Sequence, residues 1–230
     1  MILYAIPTPL GGTPGDALPE SVLRHVRELK DFVAENAKSA RAFLSAAGAK
    51  PREVSIFELN EHSALSEIPK MLQPLREGRD LGLLSEAGCP AIADPGAALV
   101  DAAHREGFRV VPLVGPSSLT LALMASGLEG QRFAFCGYLP RDAMERTRRI
   151  RELEARSRKE KETEIFIETP YRNEALFSAL LQGCAAQTRL CVAADLMLES
   201  ESVMTRTIAE WRRSGEAIGK RPAVFLLLAQ

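Results

Sequence analysis

Three loops rich in proline and glycine hold the residues best suited to chemistry: IPTPLGGTPGD from Ile6, SEAGCPAIADPG over Ser85–Gly96, and VGPSSLT from Val114. Each follows a short apolar run that reads as a strand, so in a parallel sheet all three gather at one edge. Glycine lets the backbone approach a ligand closely, and proline fixes the loop in place. One such loop is an ordinary strand-to-helix turn, whereas three on one edge describe a binding crevice. Glu86 and Asp94 add carboxylates to the central loop, where they would either draw a cation or cap the helix that follows.

The elements that position these loops follow from hydrophobic periodicity. In the first half, strands are expected at Ile2–Ile6, Phe32–Ala34, Val54–Phe57, Leu81–Leu84 and Val110–Val114. Helices are expected between them at Leu18–Lys30, Ser39–Ala47, His62–Arg76 and Ala97–Glu106. Runs such as LGLL and VVPLV are apolar without alternation, which suits strands buried on both faces of a parallel sheet. After an expected helix at Ser117–Ala125, Gly127–Gln131 offers a turn-rich junction. The second half holds expected strands at Phe133–Tyr138, Glu164–Glu168, Leu190–Ala194, Val203–Thr207 and Ala223–Leu228, and a helix at Asn173–Leu181. Some of these strands follow one another without a helix between, so this sheet should be mixed. The fold class is α/β with two domains, residues 1–116 with a parallel βα sheet and 117–230 with a mixed sheet.

Bulk properties exclude several classes. The 230 residues are 46% hydrophobic with a formal charge of -1, so cores can form but no global basic field exists. Nucleic acid would have to meet a local patch. The one candidate is Arg141–Lys161, a helix with nine Arg or Lys residues and interleaved glutamates, which reads either as an RNA backbone track or as a solvated face. The single Trp211 and few aromatics offer no obvious base-stacking platform. Four cysteines without a CxxC pair and three scattered histidines imply reduced thiols and no metal site. The N-terminal apolar run is too short for a signal sequence, and no run approaches the roughly 18 residues of a membrane span, so a cytoplasmic enzyme is expected.

The chain has neither a GxGxxG fingerprint nor a GxxxxGK[ST] phosphate loop, which removes the simplest support for NAD or ATP. A cofactor without phosphate needs neither. S-adenosylmethionine fits that description: backbone carbonyls and carboxylates can hold its sulfonium, and an apolar slot its adenine.

At these loops the sequence resembles the tetrapyrrole methylase superfamily of S-adenosylmethionine-dependent enzymes, and within it the branch that methylates a ribose 2′-hydroxyl of small-subunit ribosomal RNA. The match runs through most of the chain: IPTPLGG at Ile6–Gly12, SEAGCPAIADPG at Ser85–Gly96, VGPSS at Val114–Ser118, GYLPR at Gly137–Arg141 and ETPYR at Glu168–Arg172. The resemblance implies a cofactor folded in a cleft between two domains, touching Pro9, Gly88, Cys89, Pro90, Ile92, Ser117, Ser118, Glu168, Leu196, Pro222 and Ala223. It also implies a homodimer, and ribosomal RNA or the small ribosomal subunit as partner. Where that branch shows an acidic pair, threonine and arginine, this chain has Glu35, Asn36, Ala37 and Lys38. The branch's His-Glu-His-Asn-type stretch is represented only loosely by Phe57–His62, and the chain ends at Gln230, short of the longer ribosomal enzymes.

Methyl transfer from a sulfonium is an in-line displacement, so alignment and water exclusion matter most. For a ribose hydroxyl, Glu35 is the candidate base and Lys38 the candidate alkoxide or phosphate partner. A surface salt bridge between the two is the plainer reading. His62 is a second candidate base. Two rival readings stay open at this level: a methyltransferase of a tetrapyrrole or other small molecule, and a non-catalytic protein that binds S-adenosylmethionine.

Overall fold

The computed structural model describes residues Met1–Gln230 apart from the side chain of Leu65. The chain divides into two compact units, Met1–Ser117 and Ser118–Gln230, each with its own five-stranded sheet.

The first unit runs β1 (Ile2–Ile6), α1 (Pro14–Ala17), α2 (Glu20–Glu28), β2 (Asp31–Ala34), α3 (Ala37–Ala46), β3 (Ser55–Glu58), α4 (Ile68–Met71), α5 (Gln73–Arg76), β4 (Leu81–Leu84), α6 (Ala97–Arg105) and β5 (Arg109–Pro112). Its sheet is parallel throughout, in the order β3-β2-β4-β1-β5. β2 and β4 are buried at every residue, through the apolar runs Phe32–Ala34 and Leu81–Leu84, with Asp31 at the start of β2 ion-paired to Arg79 at 2.9 Å. Val22, Leu23 and Val26 of α2 and Ala40 and Leu44 of α3 pack with Ile6, Phe32 and Leu84. Ile68 and Met71 of α4, Leu75 of α5 and Leu99 of α6 pack with Leu3, Val33, Leu81 and Leu83 instead. The connections leaving β1 and β2 therefore cover one face, and those leaving β3 and β4 the other. Neighbouring β1 and β4 send their chains to opposite faces, and the gap between those departing loops is where open α/β sheets bind ligands.

The expected single helix His62–Arg76 does not form. A 3-10 turn at Leu65–Glu67 leads into α4 and α5, each with a proline in its first turn. Pro74 has no N–H to give and its ring would clash with the carbonyl four residues back, so a continuous helix breaks there. His62 consequently lies in a turn, its amide donating to Asn60 Oδ1 at 3.0 Å.

The second unit runs α7 (Ser118–Ser126), β6 (Phe133–Tyr138), α8 (Ala143–Glu160), β7 (Thr163–Glu168), α9 (Asn173–Gly183), β8 (Arg189–Ala194), β9 (Ser202–Thr207), α10 (Ile208–Ser214) and β10 (Ala223–Leu228). Its order is β6-β7-β10-β8-β9, with only the β6–β7 pair parallel. Ile150, Leu153, Leu176, Phe177, Leu180 and Trp211 from α8, α9 and α10 cover one face, against Phe166, Val192 and Phe225. The charged helix starts where Asp142 accepts the amides of Met144 and Glu145, each at 2.9 Å, and stops at Lys161, whose φ of 53° is left-handed. Helix α10 was not anticipated from periodicity, yet it carries a written start: the Thr207–Glu210 capping box.

Gly82 lies beneath the Phe32 ring, where an added Cβ would come within 2.6 Å of Phe32 Cδ1 and 3.0 Å of Ile6 Cδ1. Gly82→Ala should therefore destabilise the protein by about 1–3 kcal/mol through overpacking, lowering the urea midpoint at unchanged slope. An unaltered midpoint would show that Phe32 moves aside freely.

Candidate active site

The three proline- and glycine-rich loops of the first unit are hydrogen-bonded to one another. Thr8 and Gly88 form an isolated antiparallel bridge, Thr8 N to Gly88 O at 2.9 Å and Gly88 N to Thr8 O at 3.0 Å. Ser85 Oγ donates to Gly88 O at 2.5 Å and lies 3.3 Å from Thr8 Oγ1. The Cys89 thiol points to Pro116 O at 3.4 Å, which brings in the third loop. Two glycines permit this crowding. Gly88 has a φ of 80°, and a Cβ on Gly115 would lie 2.4 Å from Pro7 Cβ. Of the residues singled out in the sequence, Pro9, Gly88, Cys89 and Pro90 thus meet at one junction. Ser117 follows Pro116 directly, and Ile92 stands half exposed at the tip of the central loop.

That tip is strained. Ala91 and Ala93 both sit in the left-handed region, at φ of 65° and 56°, a conformation that costs an L-residue about 1–2 kcal/mol. Asp94 holds it: its Oδ1 accepts the amides of Ala91 at 3.1 Å and Gly96 at 2.6 Å. The cap reading of Asp94 is therefore part of its role, because Gly96 is the cap residue of α6. Burial pushes the Asp94 carboxyl up from its ordinary value, and these backbone bonds work against the rise.

Glu35 follows β2 and is half-buried. Its carboxyl is raised first by burial and then by the charges of Asp94, Glu86 and Glu61. Lys38 lies exposed on the first turn of α3, and among the described residues its ammonium has no ion-pair partner. The two are therefore not held as a salt bridge. Glu86 accepts from Ser39 Oγ at 2.6 Å, and Glu58 from the amide of Ala37 at 2.8 Å. The strand ends of this unit are thus acidic. A cavity of about 250 Å³ lies beside them, lined by Thr8, Pro9, Ser39, Phe43, Ser85 and Glu86 among others. Glu61, within the stretch Phe57–His62 singled out in the sequence, lies three residues past β3 at the same sheet edge.

In the second unit another set converges. Ala223 pairs in register with Glu168 on one side and Ala194 on the other. The amide of Asp195 donates to Pro222 O at 3.0 Å, which places buried Leu196 beside them. Asp195 and Met197, flanking Leu196, are both left-handed at φ of 53° and 68°. Glu168 is ion-paired with Arg172 at 2.7 Å and accepts the amide of Thr169 at 2.8 Å. Glu168, Leu196, Pro222 and Ala223 thus share one sheet edge, while Ser118 is the first residue of α7.

A carboxyl raised on folding adds stability fully present below its unfolded value and lost as pH rises through the folded one. Glu35→Gln, neutral throughout, should be more stable than the parent at neutral pH. Its advantage should shrink to nothing on acidification below the ordinary glutamate range. Denaturant titrations across that range check this, and an advantage that grows on acidification would reverse the assignment.

The tetrapyrrole (corrin/porphyrin) methylase family model matches residues 11–211. Ribosomal RNA small subunit methyltransferase I of Mesorhizobium japonicum is 33% identical over 90% of this chain and 67% of its own length. Its counterpart in Bacillus subtilis is 34% identical over 91% and 68%. Among solved structures, cobalt precorrin-4 methyltransferase superposes with a TM-score of 0.63 at 18% identity, covering 99% of this chain and 94% of that one. Uroporphyrin-III-C-methyltransferase from Thermus thermophilus gives 0.59 at 20%, covering 99% and 94%. At such identities the structural likeness speaks for the fold, while the family model and the closer relatives speak for descent. The chain belongs to the tetrapyrrole (corrin/porphyrin) methylase family and is an S-adenosylmethionine-dependent methyltransferase.

Proposed function

We propose that this methyltransferase acts on a ribose 2′-hydroxyl of small-subunit ribosomal RNA. The observation that carries the reading is identity of about one third, over nine-tenths of the chain, to enzymes named for that RNA. In this reading Pro9, Gly88, Cys89, Pro90, Ile92 and Ser117 contact the cofactor from the first unit. Ser118, Glu168, Leu196, Pro222 and Ala223 are the proposed cofactor contacts of the second.

The residues present suit that cofactor. It brings a positive sulfonium and no phosphate, and around Glu35 the loop edge carries Asp94, Glu86 and Glu61 close enough to raise the Glu35 carboxyl. When bound, S-adenosylmethionine supplies an electrophilic methyl group. The protein's part is to align the acceptor oxygen with that methyl and to keep water away. A loop whose conformation is fixed by the Thr8–Gly88 bridge and by Asp94 is preorganised for this. Glu35 accepts the hydroxyl proton, and its raised affinity for a proton makes it a better base than an ordinary carboxylate. Lys38, on the first turn of α3 and with no ion-pair partner among the described residues, meets a neighbouring phosphate.

The proposal includes a homodimer and a cytoplasmic site of action. For the dimer, Phe133, Phe135 and Tyr138 stand exposed along β6, an edge strand of the second sheet.

Tritiated S-adenosylmethionine and unmodified small ribosomal subunits should yield label in the subunit RNA. After alkaline hydrolysis the label should remain in dinucleotides, because a 2′-methyl group blocks cleavage at its own residue. Glu35→Gln should lower kcat by about 100-fold, with a much smaller loss of cofactor affinity. Cofactor binding without any label in the RNA would overturn the proposed substrate.

A further inference from the structure

Helix α8 presents a stripe with no carboxylate on it. At 100° per residue, Met144, Thr147, Arg148, Arg151, Ala155, Arg158 and Lys159 fall within about 60° of one line along the helix. Glu145 and Glu152 fall at or beyond its edge, Glu160 lies far round the helix, and Glu154 is turned inward, accepting the amide of Ala185 at 2.8 Å. The buried face opposite is Ile150, Leu153 and Ser157. The interleaved glutamates that suggest a neutral solvated face in the sequence are therefore sorted away from the stripe by the helix itself.

Three of the stripe's four cations are available; the fourth, Arg158, donates to Gln230 O at 2.9 Å. Arg148 is 77% exposed and Lys159 82%. Arg151 is exposed and has no ion-pair partner among the described residues. Arg148 reaches Glu152 only at 3.6 Å, and Lys159 reaches Glu160 at 3.5 Å. Exposed pairs at such separations contribute little and yield readily to a phosphate. From Arg148 to Lys159 the stripe spans about 16 Å, enough to follow several nucleotides of a backbone. Met144, Thr147, Arg148, Arg151 and Ala155 line an open surface concavity of about 700 Å³, with Glu152 on its rim.

The stripe also leads somewhere. Its N-terminal end follows the loop Leu139–Arg141, and Arg172 donates to Leu139 O at 3.4 Å while ion-paired to Glu168. The track thus starts at the sheet edge that holds Glu168, Leu196, Pro222 and Ala223.

We propose that the Arg148–Arg151–Lys159 stripe of α8 is the docking track for the phosphate backbone of the RNA substrate. This rests on the ribosomal RNA reading, and charge complementarity chooses the occupant. The test is the triple variant Arg148→Glu, Arg151→Glu, Lys159→Glu, compared with Arg105→Glu on α6, an equally exposed arginine off the track. Binding of protein-free small-subunit RNA is measured over a range of salt, with S-adenosylmethionine calorimetry confirming that each variant is folded. The triple variant should bind RNA at least tenfold more weakly at moderate salt, with a salt slope shallower by about 2 to 3, and keep its cofactor affinity. Arg105→Glu should change little. If the triple variant loses cofactor affinity as well, the Gln version of the same three positions decides by the same readings.

Parental protein that binds RNA with a salt slope unmoved by the triple change would remove the track and leave the substrate reading standing. Parental protein that binds no RNA would remove both. Loss of binding to intact subunits alone, with protein-free RNA bound as before, would assign the stripe to an acidic protein partner and overturn the proposal.

Discussion

The exchange of two backbone hydrogen bonds between Thr8 and Gly88 is the constraint on which the rest of the first unit depends. β1 and β4 are neighbours whose chains depart to opposite faces, so the loops beyond them would otherwise splay apart. The bridge closes them across the gap, Ser85 supports it from below, and the Cys89 thiol ties in the segment after β5. Gly88 must be left-handed for the exchange to occur, and Gly115 must lack a side chain for Pro7 to pass. The strained alanines at 91 and 93 are tolerable because the bridge fixes the loop on one side and Asp94 on the other. Strain held in this way is a usual mark of a ligand-binding segment.

The charges divide by purpose. Carboxylates gather at the strand ends of the first unit, where the charges of Asp94, Glu86 and Glu61 add to burial in raising the proton affinity of Glu35. Cations gather along α8, where helical geometry keeps Glu145 and Glu152 to the rim of the face that carries Arg148, Arg151 and Lys159. A formal charge of -1 conceals both patterns. In the proposed reading, the crowding of carboxylates around Glu35 is the cost a site bears when its ligand supplies the missing positive charge.

The strands and the parallel and mixed sheets were legible in the sequence because β2, β4, β8 and β10 are nearly unbroken apolar runs between clear turn residues. The broken helix at 62–76 was not, because hydrophobic spacing continues through Pro69 and Pro74 while the backbone cannot. The convergence of the three loops was legible from their common position after parallel strands. The means of convergence was hidden, since a bridge between residues 8 and 88 leaves no local trace. Glu35 and Lys38 illustrate the same limit. Their proximity in sequence suggests a salt bridge, but β2 ends between buried neighbours and α3 turns Lys38 to solvent, so Glu35 answers to carboxylates far away in the chain.

The central claim is that the bridged loops of the first unit hold the cofactor. Amide hydrogen exchange with and without S-adenosylmethionine tests it most directly. The account predicts added protection in Thr8–Gly12, Ser85–Gly96 and Val114–Ser118. Protection confined to other segments, with these three loops exchanging as fast as before, would contradict it.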